Sequence, residues 1–286
     1  MFSIIGTVLV FGAVIGGFLL EHGKLPVLIQ PNELIIIGGA AIGTLVTANP
    51  LHILKSLVGA VIGVIKGSPY TKQRYTETLK MLFDLLTKAR KEGAIAIEAD
   101  VEEPDKSQTF TKYPAFLKDH HVRDFVCDTM RMAITGGVSA FDLDQMMEVD
   151  MDTHHHEASM PSTALQTVGD ALPGLGIVAA VLGIVITMGS LGGPPEEIGK
   201  KVAAALVGTF LGILLCYGLI APLASIMGKF VDDEHSYYHV LRVVMLAFIK
   251  GTSPIMAVEI GRRAIPGHVR PNFKEVESAC RAKSAA

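Results

Sequence analysis

Residues 169–193 read GDALPGLGIVAAVLGIVITMGSLGG. From Ala171 to Pro195 there is no Asp, Glu, Lys or Arg, and about 20 residues of apolar helix cross a hydrocarbon layer of roughly 30 Å. The stretch reads as a membrane span, and the rest of the chain can be read outward from it.

Three further runs meet the same test. Met1 to Leu20 is uncharged and ends at Glu21, Leu34 to Leu54 lies between Glu33 and Lys55, and Val202 to Gly228 follows Lys201. Composition agrees: of 286 residues, 50% are hydrophobic and 19% charged, with a mean hydropathy of +0.43, too apolar for an ordinary soluble protein. The first run lacks the basic start and small-residue cleavage site of a signal peptide, so it too reads as a span. The fold class expected is an all-α integral membrane protein with four transmembrane helices.

Lysine and arginine orient it. Thirteen lie in 55–170 and nine in 229–286, against one in 21–33 and two in 196–201, which places the two rich segments and both termini in the cytoplasm. The expected organisation is transmembrane helices at about 1–20 and 34–54, a large cytoplasmic helical loop over 55–170, transmembrane helices at about 171–192 and 202–228, and a cytoplasmic tail over 229–286.

Several function classes are disfavoured. The net charge is −3, and the loop carries eighteen acids against thirteen bases, which is no footprint for nucleic acid. Cys127, Cys216 and Cys280 fall in no metal-ligand spacing and read as free thiols. His154, His155 and His156 point in three directions on a helix, so they cannot share one metal and read as a solvated face. No nucleophile with its base, phosphate loop or zinc spacing occurs, so neither an enzyme nor a cofactor is expected.

The loop is helical by pattern. Leu79, Leu82, Phe83, Leu86 and Ala89 recur at three and four, with Gly93 as a stop. Arg90 falls within that stripe, where a last-turn cation complements the helix C-terminus and its stem can pack. A second helix covers about Asp119 to Thr135 and stops at Gly136 and Gly137. A third starts after Ser139, with Asp142 placed for a capping box.

Spans three and four are rich in small residues: Gly174, Gly176, Ala179, Ala180 and Gly183 in one, Ala203 to Ala205, Gly208 and Gly212 in the other. These let helices approach closely. Pro173 stands at the entry of span three, where a missing N–H matters little. Pro222 frees the carbonyl of Gly218 and should kink span four, and Pro50 breaks span two late. Thr209 either bonds back to its own helix or lines a polar passage. With no Asp, Glu, Lys or Arg in any span, an ion path here needs an acid from a partner.

Four stretches in order, TKARKEGAIAIEADVE (87–102), LPGLGIVAAVLGIV (172–185), VGTFLGILLCYGLIAPLA (207–224) and AVEIGRR (257–263), closely resemble the MotA family of flagellar motor stator subunits, within the MotA/TolQ/ExbB proton channel family. The resemblance covers all the spans, the loop and most of the tail. It implies a homopentamer in the bacterial inner membrane around a dimer of MotB, whose transmembrane helix brings a protonatable aspartate. It implies that H+ is the transported ion, because Ala180 stands where sodium-driven relatives place a threonine.

By the same resemblance, Pro173 and Pro222 couple proton passage to movement, Thr209 faces the partner's aspartate, and the first two spans lie towards lipid. Arg90 and Glu98 would face complementary charges on FliG of the rotor. ExbB- and TolQ-like energisers of outer-membrane processes form similar assemblies, but have three spans and lack a rotor surface. A self-contained secondary transporter would need polar or ionisable groups at the midplane.

Overall fold

The computed structural model describes residues 2–189 and 191–281. Helices α1 (Phe2–Leu20), α2 (Leu25–Leu28), α3 (Pro31–Ala48) and α4 (Leu51–Lys66) come first. Then follow α5 (Lys72–Glu92), α6 (Glu98–Glu102), α7 (Pro114–Lys118) and α8 (His120–Thr135). The chain continues through α9 (Ala140–Met188) and α10 (Pro195–Leu215), a π-helical turn at Cys216–Ile220, and then α11 (Ala221–Ile249), α12 (Pro254–Ala264) and α13 (Phe273–Arg281). No strand occurs among the described residues. Two compact units form, one from 1–67 with 158–230 and one from 68–157 with 231–286, and their boundaries fall within α9 and α11.

Four helical stretches are long and apolar enough to cross a membrane: Ser3–Leu20, Leu25–Ala48, Ala140–Met188 and Pro195–Ile249. The expectation of an all-helical chain with four such stretches is met, but two details differ. The run 34–54 is not one helix, because α3 stops at Ala48, Asn49 is extended (φ −131°, ψ 138°) and α4 starts at Leu51. Pro50 is the cause, since a proline disfavours helical backbone at the residue before it. The third loop helix also runs on without a stop into span three, giving α9 its 49 residues. Pro173 therefore lies inside a helix rather than in a first turn, and leaves the carbonyl of Gly169 without its helical N–H.

In the first unit, Val8, Leu9, Ile35, Ile42 and Val46 are exposed on α1 and α3, as helices facing hydrocarbon require. Its interior has two clusters. Ile37 and Ala41 pack with Leu172, Ala179 and Cys216, and Leu57 and Val64 of α4 pack with Leu165, Ala224 and Met227.

The second unit is built on α5. Tyr75, Leu79, Leu82, Leu86 and Ala89 are buried, and Met81 and Leu85 widen the buried face that meets α12 and α13. The cap read from sequence is present, Ser139 Oγ accepting from the Asp142 N–H at 3.1 Å, and the Asp119 carboxylate also caps α8 by accepting from the Val122 N–H. Gly93 has φ +93°, a conformation that strains any residue with a Cβ.

The three cysteines are free and buried. In the second unit, burial pushes the thiols of Cys127 and Cys280 up to about 12. The histidine run departs from the solvated face expected of it. His154 stacks against His121 and Tyr238, with Nε2 at 3.3 Å from Glu234 Oε1, and the His155 ring lies 4.7 Å from that of His235. The reason is α11, which supplies Glu234, His235 and Tyr238 from far along the chain.

Candidate functional site

The small residues of α9 and α10 bring the two backbones into contact. A Cβ placed on Gly176 would lie 2.8 Å from the Gly208 carbonyl oxygen, 3.1 Å from Gly212 Cα and 3.3 Å from Thr209 Cα. One on Gly212 would lie 2.5 Å from the Leu172 carbonyl oxygen. No side chain fits at those distances, so glycine is a packing requirement there.

At this crossing Ala180 meets Gly208, its amide nitrogen 3.3 Å from where a Gly208 Cβ would sit, while Thr209 Cα lies beside Gly176. Ala180 is buried and Thr209 half-buried. Of the two sequence readings of Thr209, bonding back to its own helix is not what is found. Its hydroxyl has no hydrogen-bond partner among the described residues, whereas Thr187 Oγ1 donates to the Gly183 carbonyl at 2.8 Å. Pro173 stands next to Leu172, whose carbonyl covers Gly212.

Pro222 lies elsewhere. It is exposed and lines a groove of about 260 Å³ with Ser3, Thr7, Val10, Gly218 and Leu223. The turn before it is π-helical, over Cys216–Ile220, the wide form that takes up a disturbed i→i−4 ladder. The kink expected at Pro222 is thus realised as a widened turn.

An acid that the hydropathy reading left outside the spans enters this site. Glu33 is only 7% exposed, and with Ile37 and Ala41 it forms the buried face of α3. Its Oε2 is buried without a hydrogen-bond partner, 2.8 Å from the Gly208 Cβ position, and its Oε1 is 3.7 Å from that of Gly183. The signal in the sequence was an acid heading an i, i+4, i+8 stripe. A search for charge-free runs stops one residue short of it.

The rotor-facing candidates lie in the second unit. Arg90 and Glu98 are both exposed, and neither takes part in an ion pair or hydrogen bond among the described residues. Arg90 is not within the buried face, as its spacing suggested, because Met81 and Leu85 shift the centre of that face around the helix. Two residues after Glu98, Asp100 is buried, accepting from Lys88 Nζ at 2.8 Å and Ser107 Oγ at 2.5 Å. In α12 Glu259 is held by Arg262 through two bonds, 2.7 and 2.8 Å, and by Arg263 at 2.9 Å. The Arg262 guanidinium, with Arg263, holds the Glu259 carboxyl down at about 2. Gly261 in the same stretch packs against the Val244 side chain, where a Cβ would not fit.

Fold and site together define a polytopic helical membrane protein in which small residues join α9 to α10 and a second helical unit presents unpaired charges. The chain belongs to the motility protein A family. Residues 4–93 match the family described as Motility protein A N-terminal, and residues 118–239 match the MotA/TolQ/ExbB proton channel family. Motility protein A of Escherichia coli (strain K12) is 39% identical over 282 residues, covering 99% of this chain and 96% of that protein. That of Salmonella typhimurium (strain LT2) is 38% identical with the same coverage. The solved structure of the flagellar MotAB stator complex from Bacillus subtilis superposes with a TM-score of 0.70 at 25% identity, covering 90% of this chain and 92% of that one.

Proposed function

We propose that this chain is the proton-driven stator subunit of a bacterial flagellar motor, acting as a homopentamer around a dimer of MotB in the inner membrane. It is not an enzyme: it couples the passage of H+ to torque. The segments 55–170 and 229–286, with both termini, lie in the cytoplasm, where FliG of the rotor is met. The carrying observation is the α9–α10 crossing, a closely packed helix pair without an ionisable side chain between Ala171 and Met188 or between Val202 and Leu215, which would frame an acid brought by another protein.

Protonation of MotB's aspartate beside Thr209 and Ala180 removes the cost of a charge at depth, and the helices shift. Pro173 and Pro222 are the places where they yield, and Arg90 and Glu98 deliver the movement to FliG. Self-assembly is supported by Ile177, Val181 and Val185 on α9, a stripe left exposed by the chain itself. The match to the Motility protein A N-terminal family over 4–93 favours this reading over an ExbB- or TolQ-like energiser.

The test is motility of a stator-null cell given this gene alone or with its cognate MotB, with the proton gradient collapsed or sodium withdrawn. Swimming that needs MotB and the proton gradient but not sodium is expected. No rescue by the pair would sink the stator reading.

A further inference from the structure

We infer that Glu33 is a proton-exchanging residue of the translocation path, a carboxyl of this chain working beside the one the partner supplies. The inference rests on the stator reading above. Its geometric basis is the side chain of Glu33, more than nine-tenths buried, with Oε2 unpartnered and directed onto the glycine-lined crossing of α9 and α10.

A carboxylate without partners in an apolar wall destabilises a fold, and a leucine would pack there at no such cost. Two structural roles could explain an acid at this position, and neither is filled. As the third residue of α3, Glu33 could cap its own helix by bonding the Gln30 N–H, but no such bond forms. It could also neutralise a cation, but the packed helices offer none at its level. On α9 no charged residue occurs between Ala171 and Met188, and on α10 the nearest are Lys200 and Lys201, about one turn before Ala205. Glu21, His22 and Lys24 lie in the segment before α2 and form no ion pair with Glu33. Ionisable residues buried in membrane helices, facing the bundle interior, are functional as a rule.

The surroundings suit exchange rather than anchoring. Gly183, Ala205, Gly208 and Ala179 present no side-chain donor that would fix the carboxyl. Gly208, which the carboxyl touches, directly precedes Thr209 on α10, the residue beside which the partner's acid is expected. The step balances simply. The carboxylate takes one proton from water on the side that holds the higher proton activity, and the acid then gives that proton to the partner's carboxylate, returning to its starting form. No electrons move, and no other bond is made or broken.

The test uses stator-null cells carrying this chain with its MotB, and compares wild type with Glu33→Gln and Glu33→Asp. Motor speed under load is read across external pH, and the amount of assembled complex in the membrane is measured in parallel. Glutamine fills the same volume without the acid, so a packing role would leave speed unchanged. The inference expects E33Q to lower speed on the order of tenfold or more at undiminished assembly, and E33D to retain part of it with a displaced pH midpoint. E33Q turning at wild-type speed throughout the pH range would overturn it. Should E33Q not accumulate, E33D decides, and a wild-type speed and pH profile in that variant would equally overturn it. A wild-type pair that fails to turn the motor overturns the stator reading itself, a separate outcome visible before any variant is compared.

Discussion

Lys88 Nζ lies 2.8 Å from Asp100 Oδ2, and the Asp100 side chain is only 5% exposed. The pair ties the last turns of α5 to α6 across the bend at Gly93, which sets where Arg90 and Glu98 stand. Asp100→Ala removes this tie and the Ser107 bond, and is expected to lower the stability of the second unit by about 1–3 kcal/mol. A lower melting temperature of the purified protein, with earlier proteolysis near residues 93–107, would be the readout. An unchanged melting curve would count against the tie.

Charge reversal tests the exposed pair. Arg90→Glu and Glu98→Lys should each impair swimming while the amount of complex in the membrane stays the same, since neither side chain supports the fold. Each exposed contact is worth about 0–1 kcal/mol, so the double reversal should be worse than either change alone. If all three variants swim like wild type, the two residues do not face the rotor.

The helix crossing makes a sharper demand. Gly212→Ala must displace the Leu172 carbonyl, an overpacking expected to destabilise by about 1–3 kcal/mol, whereas Gly199→Ala meets open space and should be neutral. Thermal stability of the two variants in detergent would show the difference, and equal melting would mean that α9 and α10 do not meet at Gly212.

Pro173→Ala and Pro222→Ala restore helical N–H groups at Gly169 and Gly218. Complexes should still assemble and drive little rotation. Normal torque from either variant would make that proline a static bend.

Glu259 gives a pH dependence with a definite sign. Its folded value, about 2, lies below its ordinary 4.5, so its stabilisation is fully present above about 4.5 and is lost as pH falls from there through about 2. Glu259→Gln should therefore lower the melting temperature at neutral pH and flatten its decline over that acid range. Parallel melting curves for wild type and variant would remove Glu259 as the cause.

Much of the fold was legible because its signals are local. A span needs an unbroken apolar run, and the cap at Ser139 needs only a neighbour three residues on. What stayed hidden depends on distant partners. Nothing near Asp170 shows that α9 continues through it, and the surroundings of His154 and His155 come from α11. The face of α5 was misjudged at Arg90 because α12 and α13 choose which side is covered. Ala180 and Thr209 were legible as small and hydroxyl residues in apolar helices. Glu33 was not, because a charge ends a hydropathy window, whereas packing asks only what lies four and eight residues further on.

The burial of Cys127, Cys216 and Cys280 has a practical consequence. Thiolates are the reactive form; the Cys127 and Cys280 thiols are pushed up to about 12 and Cys216 is buried among packed helices, so all three should react slowly with maleimides and alkylating reagents. A single cysteine placed at an exposed position other than Arg90 and Glu98, such as Lys91, should take a fluorophore or spin label alone, in an otherwise unaltered sequence, and report rotation of the second unit without a cysteine-free background having to be built.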